Sequence, residues 1–224
     1  MSIRAVVLDF DGVIADTERL HYAAFRDVFV ERGWTLGEAA YFDRYLGCDD
    51  HGLVREFARD IGVAVTDQDR EWLVEAKGQL FGRHLESADI LFPGAKAAIE
   101  RLAARFPMGI ASGARHHEIV AILRAGGLLD RFPVIVAADD VTATKPAPEP
   151  YLTAAERLGI PASDCVAVED SAAGLEAARL AGMRTIGVTT TSPRAALVLA
   201  DRIVGGLHEV SLDLLAALDD KFVG

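Results

Sequence analysis

The sequence predicts an α/β fold: a parallel sheet flanked by helices, interrupted near its start by an all-helical insertion. Three observations predict it. The run Ile3 to Leu8 is apolar but for Arg4, as expected of a strand buried on both faces. From Pro93 onward, short apolar runs alternate with amphipathic stretches, the pattern of βαβ units. Between these two regions only helical periodicity is found. The sheet-bearing core is therefore expected over residues 1–15 and 89–224, and the helical insertion over 16–88.

In chain order, the first strand ends at Asp9-Phe10-Asp11-Gly12-Val13, where Gly12 favours a turn. Asp16 or Thr17 can cap a helix with Tyr22, Phe25, Val28 and Phe29 on one face, running to about Gly33. A shorter helix is expected over 38–45, then a turn at Gly47-Cys48-Asp49-Asp50. Another helix follows, with Leu53, Val54, Phe57, Ala58 and Ile61 inward. Thr66 can cap a longer helix with Trp72, Leu73, Ala76 and Leu80 inward. In the second part, strands are expected at Met108–Ala111, Val134–Ala137, Cys165–Val168, Thr185–Val188 and Arg202–Val204. Helices are expected over Ala95–Arg105, about Arg115–Ala125, Pro148–Leu158, from Ser171 to Gly182, and over Ser211–Leu218.

Composition narrows the function classes. Apolar residues make up 51 % of 224, enough for a sizeable core. No apolar run approaches the ~20 residues that span a bilayer, and no secretory leader pattern opens the chain. A net charge of -11 argues against nucleic acid and anionic membranes as partners. Cys48 and Cys165 match no metal-ligand spacing and suit reduced thiols in the cytoplasm. Nothing demands a second subunit, so a monomer is expected.

The chemically suggestive residues share one feature: each follows a predicted strand. Asp9 and Asp11 follow the first, Ser112 and Gly113 the second, Lys145 lies in the loop after the third, and Glu169 and Asp170 follow the fourth. In an open parallel sheet that edge is where ligands bind. Phosphoryl transfer would use such a set. Asp9 is the candidate nucleophile and Asp11 the acid that protonates the leaving oxygen, then the base that activates water. A carboxylate nucleophile must approach an anion, so a divalent cation, Mg²⁺, is expected, held by Asp9, Asp170 and the Asp11 backbone carbonyl. Lys145 adds fixed positive charge, and Ser112 with the Gly113 and Ala114 amides at a helix start would bind phosphate. Each residue also has a plainer reading: Asp9 as a strand-end acid, Asp11 as a turn former, Lys145 as a solvated lysine, Ser112 as a helix cap.

Four stretches together resemble the haloacid dehalogenase superfamily, in its β-phosphoglucomutase-like phosphatase branch. They are Asp9-Phe10-Asp11-Gly12-Val13-Ile14-Ala15-Asp16-Thr17, Ala111-Ser112-Gly113, Lys145-Pro146-Ala147-Pro148-Glu149-Pro150, and Glu169-Asp170-Ser171-Ala172-Ala173-Gly174, in the family's order. The resemblance implies a Rossmann-like core with an inserted helical cap, Mg²⁺ dependence, a small phosphorylated metabolite as substrate, and Glu169 either in the metal's shell or structural. Asp11 favours phosphate chemistry over carbon–halogen cleavage, because the dehalogenases of the superfamily lack an acid there. In the cap, the resemblance points to Lys77 and His21 near the substrate and to Gly47 as the turn of a specificity loop. Lys77 shares a helical face with Leu73 and Phe81, so it either meets substrate or lays its stem over that face toward water; a lone His21 is also a common structural residue. β-Phosphoglucomutases present an arginine in the cap loop for a second phosphate. Here Asp49 and Asp50 stand there, which favours hydrolysis of a monophosphate over mutase chemistry. A mutase, and a non-catalytic regulatory protein on the same fold, are the alternatives.

Overall fold

The computed structural model describes residues 3–45, 48, 50–87 and 90–220. Six strands form one parallel sheet in the order β3-β2-β1-β4-β5-β6: β1 Ala5–Leu8, β2 Met108–Ala111, β3 Val134–Val136, β4 Cys165–Glu169, β5 Arg184–Val188 and β6 Arg202–Val204. Every residue of β1, β2, β4 and β5 is buried, whereas the edge strand β6 is only half-buried throughout. This gradient explains why the central strands read as unbroken apolar runs. Helices covering both faces leave no polar side for an alternation to mark.

The chain divides into two compact units, Met1–Asp16 with Asp89–Gly224, and Thr17–Ala88. In the first, β1 is the central strand, paired with β2 through Val6–Leu8 and with β4 through Ala5–Leu8. Helices α5 Ala95–Ala103, α6 His116–Ala125, α7 Glu149–Leu158, α8 Ala172–Leu180 and α9 Leu212–Asp220 accompany the sheet. Small residues of β1, β4 and α8 (Ala5, Ala167, Ala177 and Ala178) pack with Tyr151 and Ala154 of α7 in one core cluster. The segments joining this unit to the insertion run side by side. Phe92 N–H donates to the Ile14 carbonyl at 3.0 Å, and Asp16 N–H to that of Ile90 at 2.8 Å.

The second unit contains α1 Glu18–Glu31, α2 Glu38–Ala40, α3 Asp50–Asp60 and α4 Asp67–Ser87. The helix expected over 38–45 is divided: after α2 the backbone widens into a π turn at Tyr41–Tyr45. The Phe29 and Phe57 rings stack at 4.6 Å in its core, beside Leu53, Val54 and Leu73. Thr66 caps α4 as expected, accepting from Asp69 N–H at 3.1 Å. Thr17 precedes α1 without a side-chain capping bond. Trp72, expected inward, is 42 % exposed, and the Arg32 guanidinium lies 4.6 Å from its ring. The buried stripe of α4 is Leu73, Lys77, Phe81 and Leu85, at four-residue spacing, and Trp72 falls on its flank.

Candidate active site

Asp9 sits one residue past β1, 7 % exposed, its N–H donating to the Val168 carbonyl at 2.9 Å. The chain then turns tightly. Ile14 and Ala15 N–H groups return to the Phe10 carbonyl, and Gly12 N–H to that of Ala15. Gly12 takes φ +79°, and a Cβ there would overlap the Asp170 carboxylate, so only glycine fits on both counts. The turn keeps the partly exposed Asp11 close enough that its charge raises the Asp9 pKa.

Order 3-2-1-4-5-6 places the topological switch beside β1. Glu169, the last residue of β4, and Asp170 meet Asp9 there: ligand oxygens of these three acids lie within 4.8 Å of one another, and all three residues are buried. Lys145 arrives from the loop before α7. Its ammonium donates to Asp9 Oδ1 at 2.6 Å and to Glu169 Oε1 at 2.5 Å. That loop is tied down by Glu149, whose carboxylate accepts from the Thr142 and Ala143 N–H groups at 2.9 and 2.8 Å. The Lys145–Pro146 peptide bond within it is cis.

Glu169 is fully buried and accepts from five donors. Tyr151 O–H (2.8 Å) and Lys145 share Oε1; the N–H groups of Asp170 and Ser171 and the Ser171 hydroxyl share Oε2. That roughly exhausts the approximately four lone-pair sites of a carboxylate. Asp170 is held by the Thr191 hydroxyl on Oδ2, while Thr190 donates to the Gly12 carbonyl. Ser171 caps α8, accepting from Gly174 N–H at 3.0 Å.

The electrostatics show an excess of acid. Burial pushes the Asp9 pKa well up against the opposing Lys145 charge, and Glu169 and Asp170 push it further. Burial and the Glu169 charge raise Asp170 to about 6. Burial disfavours the Glu169 carboxylate too, yet the Lys145 charge and its hydrogen bonds outweigh that and lower its pKa. For Lys145, burial opposes the ammonium, but Asp9 and Glu169 hold its pKa above the ordinary lysine value. Three buried acids beside one ammonium leave the site short of positive charge, and the oxygens of Asp9 and Asp170 suit a hard divalent cation.

The expected phosphate loop differs from its sequence reading. α6 starts at His116 with Arg115 as its cap residue, so Ser112, Gly113 and Ala114 form a turn ahead of the helix. Ser112 N–H is bonded to the Val136 carbonyl at 2.9 Å, and Ala114 N–H to Ser112 Oγ at 3.0 Å. Gly113 is exposed, and Ser112 is 2 % exposed. The helix starts where its sequence places it, at about Arg115, and Glu118 closes that end by accepting from Arg115 N–H at 3.2 Å.

In the helical unit, Lys77 is 3 % exposed. Its ammonium donates to both Asp50 oxygens at 2.8 and 2.9 Å and meets His21 Nδ1 at 2.7 Å, which uses its three protons. The side chain therefore does not run out to water. Gly47 and Asp49 lie outside the described residues. The sequence reading missed Tyr151, Thr190 and Thr191. Tyr151 carried a signal, a lone tyrosine on the apolar face of its helix; the two threonines carried none.

A family model described as haloacid dehalogenase-like hydrolase matches residues 3–182. Validoxylamine A 7'-phosphate phosphatase of Streptomyces hygroscopicus subsp. limoneus is 35 % identical, over 92 % of this chain and 95 % of its own. β-Phosphoglucomutase of Bacillus subtilis (strain 168) is 30 % identical, over 95 % and 94 %. Among solved structures, CbbY from Rhodobacter sphaeroides in complex with phosphate superposes with a TM-score of 0.80 at 29 % identity, covering 96 % of this chain and 99 % of that one.

Proposed function

The chain belongs to the haloacid dehalogenase-like hydrolase family and is a phosphatase within it, and we propose that it hydrolyses a small phosphorylated metabolite, a sugar monophosphate, through a phosphorylated Asp9. The observation that carries this reading is Asp9 at the end of the central strand, 2.6 Å from the Lys145 ammonium and grouped with Asp170. An Asp9 oxygen attacks phosphorus as the bond to the leaving oxygen breaks, and Asp11 gives that oxygen a proton. Asp11 then takes a proton from water, which attacks the aspartyl phosphate, releasing phosphate and restoring Asp9. Lys145 stabilises the charge on the transferring oxygens. The Ser112 oxygen already accepts from Ala114, so its own proton is available to a phosphoryl oxygen, alongside the Gly113 amide.

Asp9, Asp170 and the Asp11 carbonyl would hold Mg²⁺, which when bound supplies the charge neutralisation that a carboxylate attacking an anion requires. Glu169, with five protein donors on its two oxygens, is assigned to Lys145 rather than to the metal. The helical unit is proposed as a cap that limits entry to small substrates. Its Lys77 and His21 serve substrate recognition only if Asp50 gives up the ammonium; otherwise the three hold the start of α3. A monomer in the cytoplasm completes the reading.

The test is phosphate release from a panel of sugar and nucleoside monophosphates, with Mg²⁺ and with chelator. Asp9→Asn should lower kcat by at least about a thousandfold, and chelator should abolish release. Release that persists in Asp9→Asn would overturn the mechanism. A second reading, phosphohexose mutase, rests on the likeness to β-phosphoglucomutase over nearly the whole chain. It predicts isomerisation of β-glucose 1-phosphate, primed by a bisphosphate, with little phosphate release. Asp50, an acid at or near the place where those mutases present an arginine, weighs against it, because it would repel a second phosphate.

A further inference from the structure

We propose that Tyr151 is a positioning residue for phosphoryl transfer: its phenol shares Glu169 Oε1 with Lys145 and so keeps the ammonium on Asp9. The proposal rests on the phosphatase reading. Tyr151 is in the first turn of α7, fully buried among alanines and valines of the sheet. For packing alone a phenylalanine would do as well, and a hydroxyl placed there must find a partner. It finds Glu169 Oε1, at 2.8 Å.

That oxygen is also the one Lys145 uses, at 2.5 Å, while the other side of the ammonium meets Asp9 Oδ1 at 2.6 Å. The ammonium thus stands between two carboxylates, and its division between them depends on how much charge Oε1 has left to offer. A phenol donating to Oε1 withdraws part of it. Remove the phenol, and Glu169 draws the ammonium away from Asp9 and from the phosphoryl group that Asp9 attacks. Tyr151 also meets Lys145 directly, with the ammonium 5.0 Å from the ring centroid. The ring is common to tyrosine and phenylalanine, so Tyr151→Phe isolates the hydroxyl. Oε2 is unaffected by the change, being held by Asp170 and Ser171.

The experiment compares wild type and Tyr151→Phe in hydrolysis of p-nitrophenyl phosphate with Mg²⁺, and in binding of orthovanadate, which mimics the five-coordinate phosphorus. A hydrogen bond to a charged group sets the scale, so kcat and vanadate affinity should each fall about tenfold, with KM within about twofold. Tyr151→Phe should remain folded, with a far-ultraviolet circular dichroism spectrum like that of wild type. Unchanged kcat and vanadate affinity, with or without a lower melting temperature, would make Tyr151 a packing residue and overturn the proposal. A rise in KM at constant kcat would also overturn it, by placing the effect in ground-state binding. A wild type that neither releases phosphate nor binds vanadate would overturn the phosphatase reading and this inference with it.

Discussion

Single residues at this site are constrained by the side chains they face. Gly174 shows this most clearly. It occupies the first turn of α8, where alanine ordinarily adds about 1 kcal/mol of helix stability. A Cβ there would overlap the Glu169 carboxylate, and overpacking costs about 1–3 kcal/mol. The clash should win: Gly174→Ala is expected to lower the urea midpoint and, by shifting Glu169 and with it Lys145, to lower kcat. A stabilised, fully active variant would show that Glu169 can move freely. The acids and the lysine were legible in the sequence because strand ends mark them: Asp9 after Ile3 to Leu8, Asp170 after Cys165–Val168. Thr190 and Thr191 were not, because their contacts with Gly12 and Asp170 arise from the loop after β5 returning to the sheet edge. Ser112 was legible as a residue, and so was the helix start at about Arg115; that the Gly113 and Ala114 amides stand ahead of the helix rather than opening it was not, because Glu118 makes Arg115 the cap.

At the scale of elements, α4 departs most from its sequence reading. Periodicity put Lys77 on the face of Leu73 and Phe81, as observed, but could not show that its ammonium is buried, because that becomes acceptable only once Asp50 and His21 are beside it. The same cluster gives a pH dependence. Burial first and the Lys77 charge second lower the His21 pKa to about 4, with Asp50 opposing. Between about 4 and its ordinary 6.5, the unfolded chain binds a proton that the folded chain refuses. This contribution to stability is complete above pH 6.5 and is lost as pH falls toward 4. From pH 7 to pH 5 it amounts to about 2 kcal/mol. Asp9 and Asp170, whose pKa values are raised, act in the opposite sense. The difference between wild type and His21→Asn in urea unfolding at the two pH values isolates the histidine. Equal pH slopes in the two proteins would show that His21 titrates normally. No helix among the described residues is long and apolar enough to cross a membrane.

For the whole molecule, net charge sets how an anionic substrate arrives. At -11 the chain repels a phosphate monoester at long range. Raising ionic strength from roughly 10 to 150 mM shortens the screening length to about 8 Å, so kcat/KM should rise over that interval at saturating Mg²⁺. A fall would show that local positive charge governs approach. The six-strand sheet was legible strand by strand from the sequence; its order was not, because nothing in an apolar run names its neighbour.

That order has a consequence for synthesis. β1 is the central strand, yet its partners β2 and β4 begin at Met108 and Cys165. On the ribosome, at about 5–20 residues per second, the apolar segment Ala5–Leu8 therefore waits on the order of 10–30 s for β4 to be made. During that wait the nascent chain can complete Thr17–Ala88, while Ala5–Leu8 has no strand to pair with until β2 is made and stays open on its other edge until β4 follows. The protein should therefore depend on chaperone protection early in translation, and the slow step of its refolding should be closure of the sheet around β1 rather than assembly of the helices.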